Sequence, residues 1–130
     1  MKKYSLPILA LLLVLISCSQ GPSSSEARNR DFTEYQNMAA ILRSVGGLQV
    51  IGNGGPETRI YMRGLSTITL ETQPLFVING MPVGRGYSLV SDIIPANVDK
   101  VKVYRGLTAV TLWGENANHG AIQIETKTNL

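Results

Sequence analysis

The stretch that decides the fold is Leu75-Phe76-Val77-Ile78-Asn79-Gly80-Met81-Pro82-Val83. Its first four residues are all apolar, which indicates a strand that is buried on both faces. Asn-Gly is a favoured two-residue turn between antiparallel strands, because both turn positions take positive φ. The stretch therefore predicts a tight hairpin whose second strand is residues 81–83.

On the N-terminal side of this hairpin, the pattern predicts one helix and two short strands. Asp31 can act as the helix N-cap with Glu34 three residues on, and Gly46-Gly47 ends the segment. Apolar residues recur between these ends at helical spacing: Phe32, Tyr35, Met38, Ala39, Leu42 and Val45. Residues 48–50 and 59–63 are then predicted as strands on either side of a turn at residues 53–56.

On the C-terminal side, short helices alternate with strands. A Gly-rich loop at residues 84–86 precedes a predicted helix at residues 88–94, which Pro95 stops. The remaining predictions are a strand at 98–104 with a solvated face formed by Asp99, Lys100 and Lys102, a helix at 107–113 ending at Gly114, and a strand at 121–125. The predicted fold class is therefore α/β (α+β), a small mixed sheet with short helices and long Gly-rich loops.

The composition excludes most metal, thiol and nucleophile chemistry. The chain has 130 residues, one cysteine and one histidine, so it has room for one domain and cannot form an intramolecular disulfide. Ser88, Ser91 and Asp92 have no histidine nearby in sequence, and His119 is interpreted as a loop residue rather than a catalytic base. We therefore predict no enzymatic activity, no cofactor and no metal site.

The N-terminal segment predicts export and lipidation. Lys2 and Lys3 precede an apolar run, Leu6–Ile16, that is shorter than the roughly 20 residues a membrane-spanning helix needs. Leu15-Ile16-Ser17-Cys18 resembles the bacterial lipobox, in which the cysteine is acylated and becomes the first residue after cleavage. The alternative is an ordinary secretory signal followed by an incidental thiol.

These features divide the chain into three predicted parts. Residues 1–17 are the lipoprotein signal peptide, residues 18–30 a lipidated flexible tether and residues 31–130 the folded domain. Without residues 1–17, ten basic and nine acidic side chains remain, so the charge gives no reason to expect a nucleic-acid partner. The segment after Cys18 lacks the acidic run that resembles a surface-export signal in Bacteroidetes lipoproteins, which favours the periplasmic face of the outer membrane.

Five motifs, in order and in spacing, resemble the plug domain of TonB-dependent outer-membrane receptors, particularly the SusC-like branch. They are Gly47–Val50, Ile60–Leu65, Leu75–Val83, Ile94–Gly106 and Ala109–Lys127. The sequence departs from the family at three of these positions. Asn79, Leu107 and Trp113 stand where the family usually has Asp, Pro and Tyr.

The resemblance implies a small α/β domain that closes the lumen of a transmembrane β-barrel. It also implies a role for Arg63 and Arg105, which match the two family arginines that pair with acidic residues of the barrel wall. Bidentate, charge-assisted bonds suit such a confined lumen. The alternative is that both arginines pair with acidic residues inside this domain.

The expected function is that of a non-enzymatic outer-membrane lipoprotein that binds or plugs a β-barrel. Because the chain stops at Leu130, where a receptor's first barrel strand would begin, we expect the barrel to be encoded separately. Two alternatives remain open. One is a ligand-binding lipoprotein that presents Asn53–Glu57, Leu65–Thr72 and Gly84–Ser88 to a glycan or chelate; the other is a receptor remnant.

Overall fold

The computed structural model describes residues 31–64 and 73–128. Two α-helices and six strands form about half of this part of the chain. They are α1 (Met38–Ser44), β1 (Leu48–Ile51), β2 (Arg59–Met62), β3 (Leu75–Ile78), β4 (Met81–Arg85), β5 (Val98–Tyr104), α2 (Gly106–Trp113) and β6 (Ala121–Thr126). The α/β fold class predicted from the sequence is therefore confirmed, and all six predicted strands are present.

The main sheet has four strands in the order β4-β3-β6-β5. Strand β3 pairs antiparallel with β4 and parallel with β6, so the sheet is mixed. This interior position explains why Leu75, Phe76 and Val77 are all buried. Asn79 and Gly80 have φ values of 49° and 85°, and Ile78 pairs with Met81 across the turn, so the predicted Asn-Gly hairpin is confirmed.

Each face of the main sheet is covered by its own apolar cluster. On one face, α1 and the separate β1–β2 hairpin pack against the sheet through Met38, Leu42, Leu48, Ile60, Phe76 and Ile122. On the other face, Ala109 of α2 packs with Leu75, Val77 and Ala121. The three layers hold the loops at the strand ends in fixed positions.

The helix predicted from Asp31 to Val45 is wrong as a single element. Phe32–Glu34 is a 3-10 turn that Asp31 caps by accepting a bond from the Thr33 backbone, and Tyr35 is extended. The α-helix begins only after Asn37, which is extended at φ −156° and accepts a bond from the Ala40 amide. Two caps compete within one apolar pattern, because Asn and Asp side chains satisfy free amides at either point.

The helix predicted at residues 88–94 is also wrong. The structure has a 3-10 turn at Tyr87–Leu89 and a second at Pro95–Asn97. Ser91 donates to the Ser88 carbonyl and to Asp92, which offers the backbone a local alternative to helical bonding.

The solvated face predicted for β5 is only partly correct. Asp99 is exposed, but Lys100 and Lys102 are half-buried, and Lys102 pairs with Glu125 at 2.8 Å. A register shift between Val98 and Lys100 moves the strand out of simple alternation, so that Val98 and Val101 are both buried.

Within residues 31–64 and 73–128, no helix has the length and apolar character needed to span a bilayer.

Candidate functional site

The structure brings Arg63 and Arg105 together at one backbone oxygen. The Arg63 amide donates to the Gly47 carbonyl at 2.8 Å, and Nη2 of Arg105 donates to the same oxygen at 3.0 Å. The two residues are 42 positions apart in sequence, yet the Arg63 backbone amide and the Arg105 guanidinium bond to the same oxygen. Gly47 is therefore the point that joins them.

Three chain segments meet at this point. Arg63 and Gly64 follow the end of β2, and Arg105 follows the end of β5 and is the N-cap of α2. The third segment is the turn before β6, because Tyr104 pairs with Ala121 and so places Arg105 opposite the residues that precede Ala121. His119 lies in that turn.

A cleft of about 150 Å³ lies between these segments. We call it the arginine cleft; its lining residues are Met62, Arg63, Gly64, Arg105, Gly106 and His119. Arg63 and Arg105 are exposed, His119 is half-buried and Met62 forms a buried base. Three of the six lining residues can carry positive charge and none is acidic.

Among the described residues, no acidic side chain pairs with either guanidinium group of the cleft. The bond that Arg105 makes is to a carbonyl, not to a carboxylate. Among the described residues the Arg63 guanidinium has no hydrogen-bond or ion-pair partner, and the ion pair that this part of the chain contains joins Lys102 to Glu125. The geometry of the described residues thus gives no support to pairing with acids inside the domain.

Two glycines shape the cleft. Gly47 has φ +89°, and a Cβ there would collide with the Arg105 guanidinium. Gly120 has φ +95°, and a Cβ there would lie 2.6 Å from Cε of Met62 and 3.0 Å from the Tyr104 carbonyl. Side chains at these positions would therefore disturb both the backbone and the base of the cleft.

The aromatic side chains near the site pack within the fold. Tyr104 and Trp113 form an edge-on aromatic pair with centroids 5.1 Å apart, packed against the small apolar cluster under α2. Within the described ranges, no group of three or more His, Cys, Asp or Glu side chains is placed to hold a metal ion. Cys18 and Leu65–Thr72 lie outside the described residues.

His119 is the member of the cleft that sequence reasoning missed. The sequence alone predicts only a loop residue here, because the motif Ala109–Lys127 that contains it implies no role for its side chain. The available signal was the register of the last two strands: if residues 98–104 and 121–125 pair antiparallel at their ends, the residues after 104 face those before 121. That pairing places His119 beside Arg105 and Gly106.

Comparison with known proteins identifies the family. The sequence profile of the TonB-dependent receptor plug domain matches residues 20–121. The chain belongs to this family.

Two curated relatives are TonB-dependent receptors. The chain is 31% identical over 92 residues to TonB-dependent receptor P39 of Formosa agariphila, which covers 69% of this chain and 8% of that protein. It is 30% identical over 106 residues to TonB-dependent receptor SusC of Bacteroides thetaiotaomicron, which covers 73% of this chain and 10% of SusC. The matched region is thus about a tenth of the length of these relatives.

A solved structure has the same fold. The structure of the RagAB peptide importer in the "open-open" state matches 83% of this chain and 13% of that chain, with a TM-score of 0.58 and 20% sequence identity. At this identity the likeness concerns the fold alone. The plug fold and the SusC-like branch expected from the five motifs are confirmed.

Proposed function

We propose that this plug domain binds an outer-membrane β-barrel and that the arginine cleft faces acidic side chains of the barrel wall. The proposed role is non-enzymatic. The observation that carries it is a cleft that both Arg63 and Arg105 line, without an acidic lining residue, where the Arg63 backbone amide and the Arg105 guanidinium donate to the same Gly47 carbonyl. Family membership supplies the class of partner, since plug domains belong to barrel-forming receptors.

The chemistry of the cleft supports an acidic partner. Two guanidinium groups that share a cleft offer several N–H donors, and planar carboxylates accept from them in pairs. Where solvent is partly excluded, such contacts gain strength because screening is weaker. Leu107, which is 80% exposed, directly follows the cleft residue Gly106 and adds an apolar contact for a partner.

The proposal also includes a membrane anchor. The lipobox-like Leu15-Ile16-Ser17-Cys18 would attach the chain by acylated Cys18, at the periplasmic face of the outer membrane. One acyl chain gives only marginal membrane binding, whereas several give stable attachment. Anchoring in the same membrane would keep the domain close to its barrel partner.

The test uses the double substitution Arg63→Ala with Arg105→Ala. The full chain is co-expressed with the barrel region of a SusC-like receptor from the same cell, whose own plug is deleted, and retention of the barrel is measured after detergent extraction. We expect retention to fall at least about tenfold, equal to roughly 1.4 kcal/mol of binding free energy. The circular dichroism spectrum should not change, because neither guanidinium is buried.

The matched control is Arg59→Ala. Arg59 lies at the other end of β2, opposite Ile51, and its substitution removes the same charge without touching the cleft. Retention should stay within about twofold of the wild type. Equal loss with the control, or unfolding of the double variant, would contradict the assignment of the cleft.

A further inference from the structure

The backbone on both sides of His119 is held in place where this residue lines the cleft. The Gly120 amide donates to the Ala117 carbonyl at 2.8 Å, and the Asn118 amide donates to the Glu115 carbonyl at 3.1 Å, so the turn is closed on both sides of His119. Met62 packs in the space where a Gly120 side chain would stand. The turn therefore presents His119 to the cleft from a defined backbone position.

The charged side chains that line the cleft are basic. The titratable and charged groups that line it are Arg63 from the end of β2, Arg105 from the end of β5, and His119 from the turn before β6. Gly106, the first residue of α2, also lines it, and that helix has no acidic residue in its first turn and no side-chain bond from its N-cap. The free amides of this helix end add to the positive potential.

The size of the cleft limits its occupant. A volume of about 150 Å³ accommodates a carboxylate or phosphate group. Sites for drug-sized ligands are typically about 300–1,000 Å³, which is larger than this cleft. A single oxyanionic group is therefore the occupant that best fits its size and its basic lining.

We propose that His119 is a third residue that contacts an oxyanion in the arginine cleft, and that the oxyanion is a carboxylate side chain of the barrel wall. This inference rests on the proposed function and adds His119 to the residues that contact the barrel. An imidazole N–H can donate to the same carboxylate that the two guanidinium groups bind. Loss of His119 should therefore weaken the complex with the barrel without removing the arginine contacts.

The first arm measures retention of the co-expressed barrel region with wild-type chain, His119→Ala and His119→Phe, neither of which can donate a side-chain hydrogen bond. We expect retention to fall about threefold or more in both variants. Two variants are used so that a folding defect in one still leaves a result from the other. Unchanged retention in folded His119→Ala would overturn the inference while leaving the proposed function intact.

The second arm needs no barrel. His119 is the only histidine in the chain, so its ring signals in an NMR spectrum are unambiguous if the purification tag lacks histidine. Acetate and inorganic phosphate are titrated into the full chain in detergent, and we expect both to shift the ring signals of the wild type. The shifts should be lost in the double variant of Arg63 and Arg105, and absence of any shift in the wild type would overturn the inference.

The two arms together distinguish the sources of the oxyanion. Ring shifts together with barrel retention that depends on His119 support the carboxylate of the barrel. Ring shifts without retention of any barrel would mean that the cleft takes a free anion, which overturns the barrel carboxylate and the proposed function together.

Discussion

Gly47 is the residue on which the candidate site depends. Its carbonyl accepts from both Arg63 and Arg105, and its φ of +89° lies in a region that L side chains rarely adopt. The neighbouring Gly46 has neither constraint, since a Cβ there would meet no atom within 4 Å. The pair therefore provides a matched test of one position against the next.

We predict that Gly47→Ala lowers the free energy of unfolding by about 1–2 kcal/mol, because of backbone strain at positive φ. It should also displace the Arg105 guanidinium and reduce barrel retention. Gly46→Ala should change stability by less than about 0.5 kcal/mol. Urea unfolding followed by circular dichroism measures both variants, and equal effects would contradict the geometry assigned to Gly47.

Tyr87 is a second residue whose contribution to stability can be tested. Its side chain is 1% exposed, and its hydroxyl accepts a bond from the Ala39 amide at 3.2 Å, which ties the start of α1 to the segment after β4. Burial raises the pKa of Tyr87 above its ordinary value of 10.0. The folded state therefore favours the neutral phenol.

We predict that Tyr87→Phe costs about 1 kcal/mol at neutral pH, because the Ala39 amide loses its partner. A raised folded-state pKa means that the wild type has its full stability below about pH 10 and loses part of it as the pH rises further. The variant lacks this loss, so the two unfolding curves should converge in alkaline solution. Tyr61→Phe is the control, because its hydroxyl makes no hydrogen bond among the described residues, and parallel curves would contradict the prediction.

At the scale of elements, α1 shows where local signals compete. Phe32, Tyr35 and Met38 fit one helical period, and that period predicts a continuous helix from Asp31. The chain instead uses Asn37 as a second cap, whose Nδ2 also donates to the Asn53 carbonyl at 3.3 Å. That long-range contact has no signature in the periodicity, so the break was not predictable from it.

We predict that Asn37→Ala destabilises the protein by about 1–2 kcal/mol, since both the cap and the bond to Asn53 are lost. Asn37→Asp keeps the oxygen that caps the Ala40 amide but loses the donor, so its cost should be smaller. Chemical denaturation of the two variants tests this order. A larger loss for Asp than for Ala would contradict the capping role.

The strands were more predictable than the helices. The run 75–78 is apolar throughout because it is an interior strand with a covered face on each side. Burial of this kind can be predicted from the residue types alone. The proximity of Arg63 and Arg105 cannot be predicted in this way, because it depends on how the β1–β2 hairpin docks beside the ends of β5 and β6. Family resemblance predicted the two arginines, but only the structure shows their common partner and His119.

At the scale of the whole molecule, lipid attachment is an independent prediction. Cys18→Ser should abolish incorporation of labelled palmitate and shift the full chain from the membrane fraction to the soluble or unprocessed fraction. The described elements begin at Phe32, so the circular dichroism spectrum should be unchanged. Equal labelling of wild type and variant would contradict a lipid anchor at Cys18.

The most direct test of the central claim is site-specific photo-crosslinking in intact cells. A photoreactive amino acid is placed at Leu107, which is 80% exposed beside the arginine cleft, or at Ile51, which is 50% exposed at the far end of the β1–β2 hairpin. We predict a crosslink from position 107 to an outer-membrane β-barrel, identified by mass spectrometry of the joined peptides, and loss of that crosslink when Arg63 and Arg105 are both Ala. Crosslinks from position 107 that include no barrel peptide, or that persist in the double variant, would contradict the account.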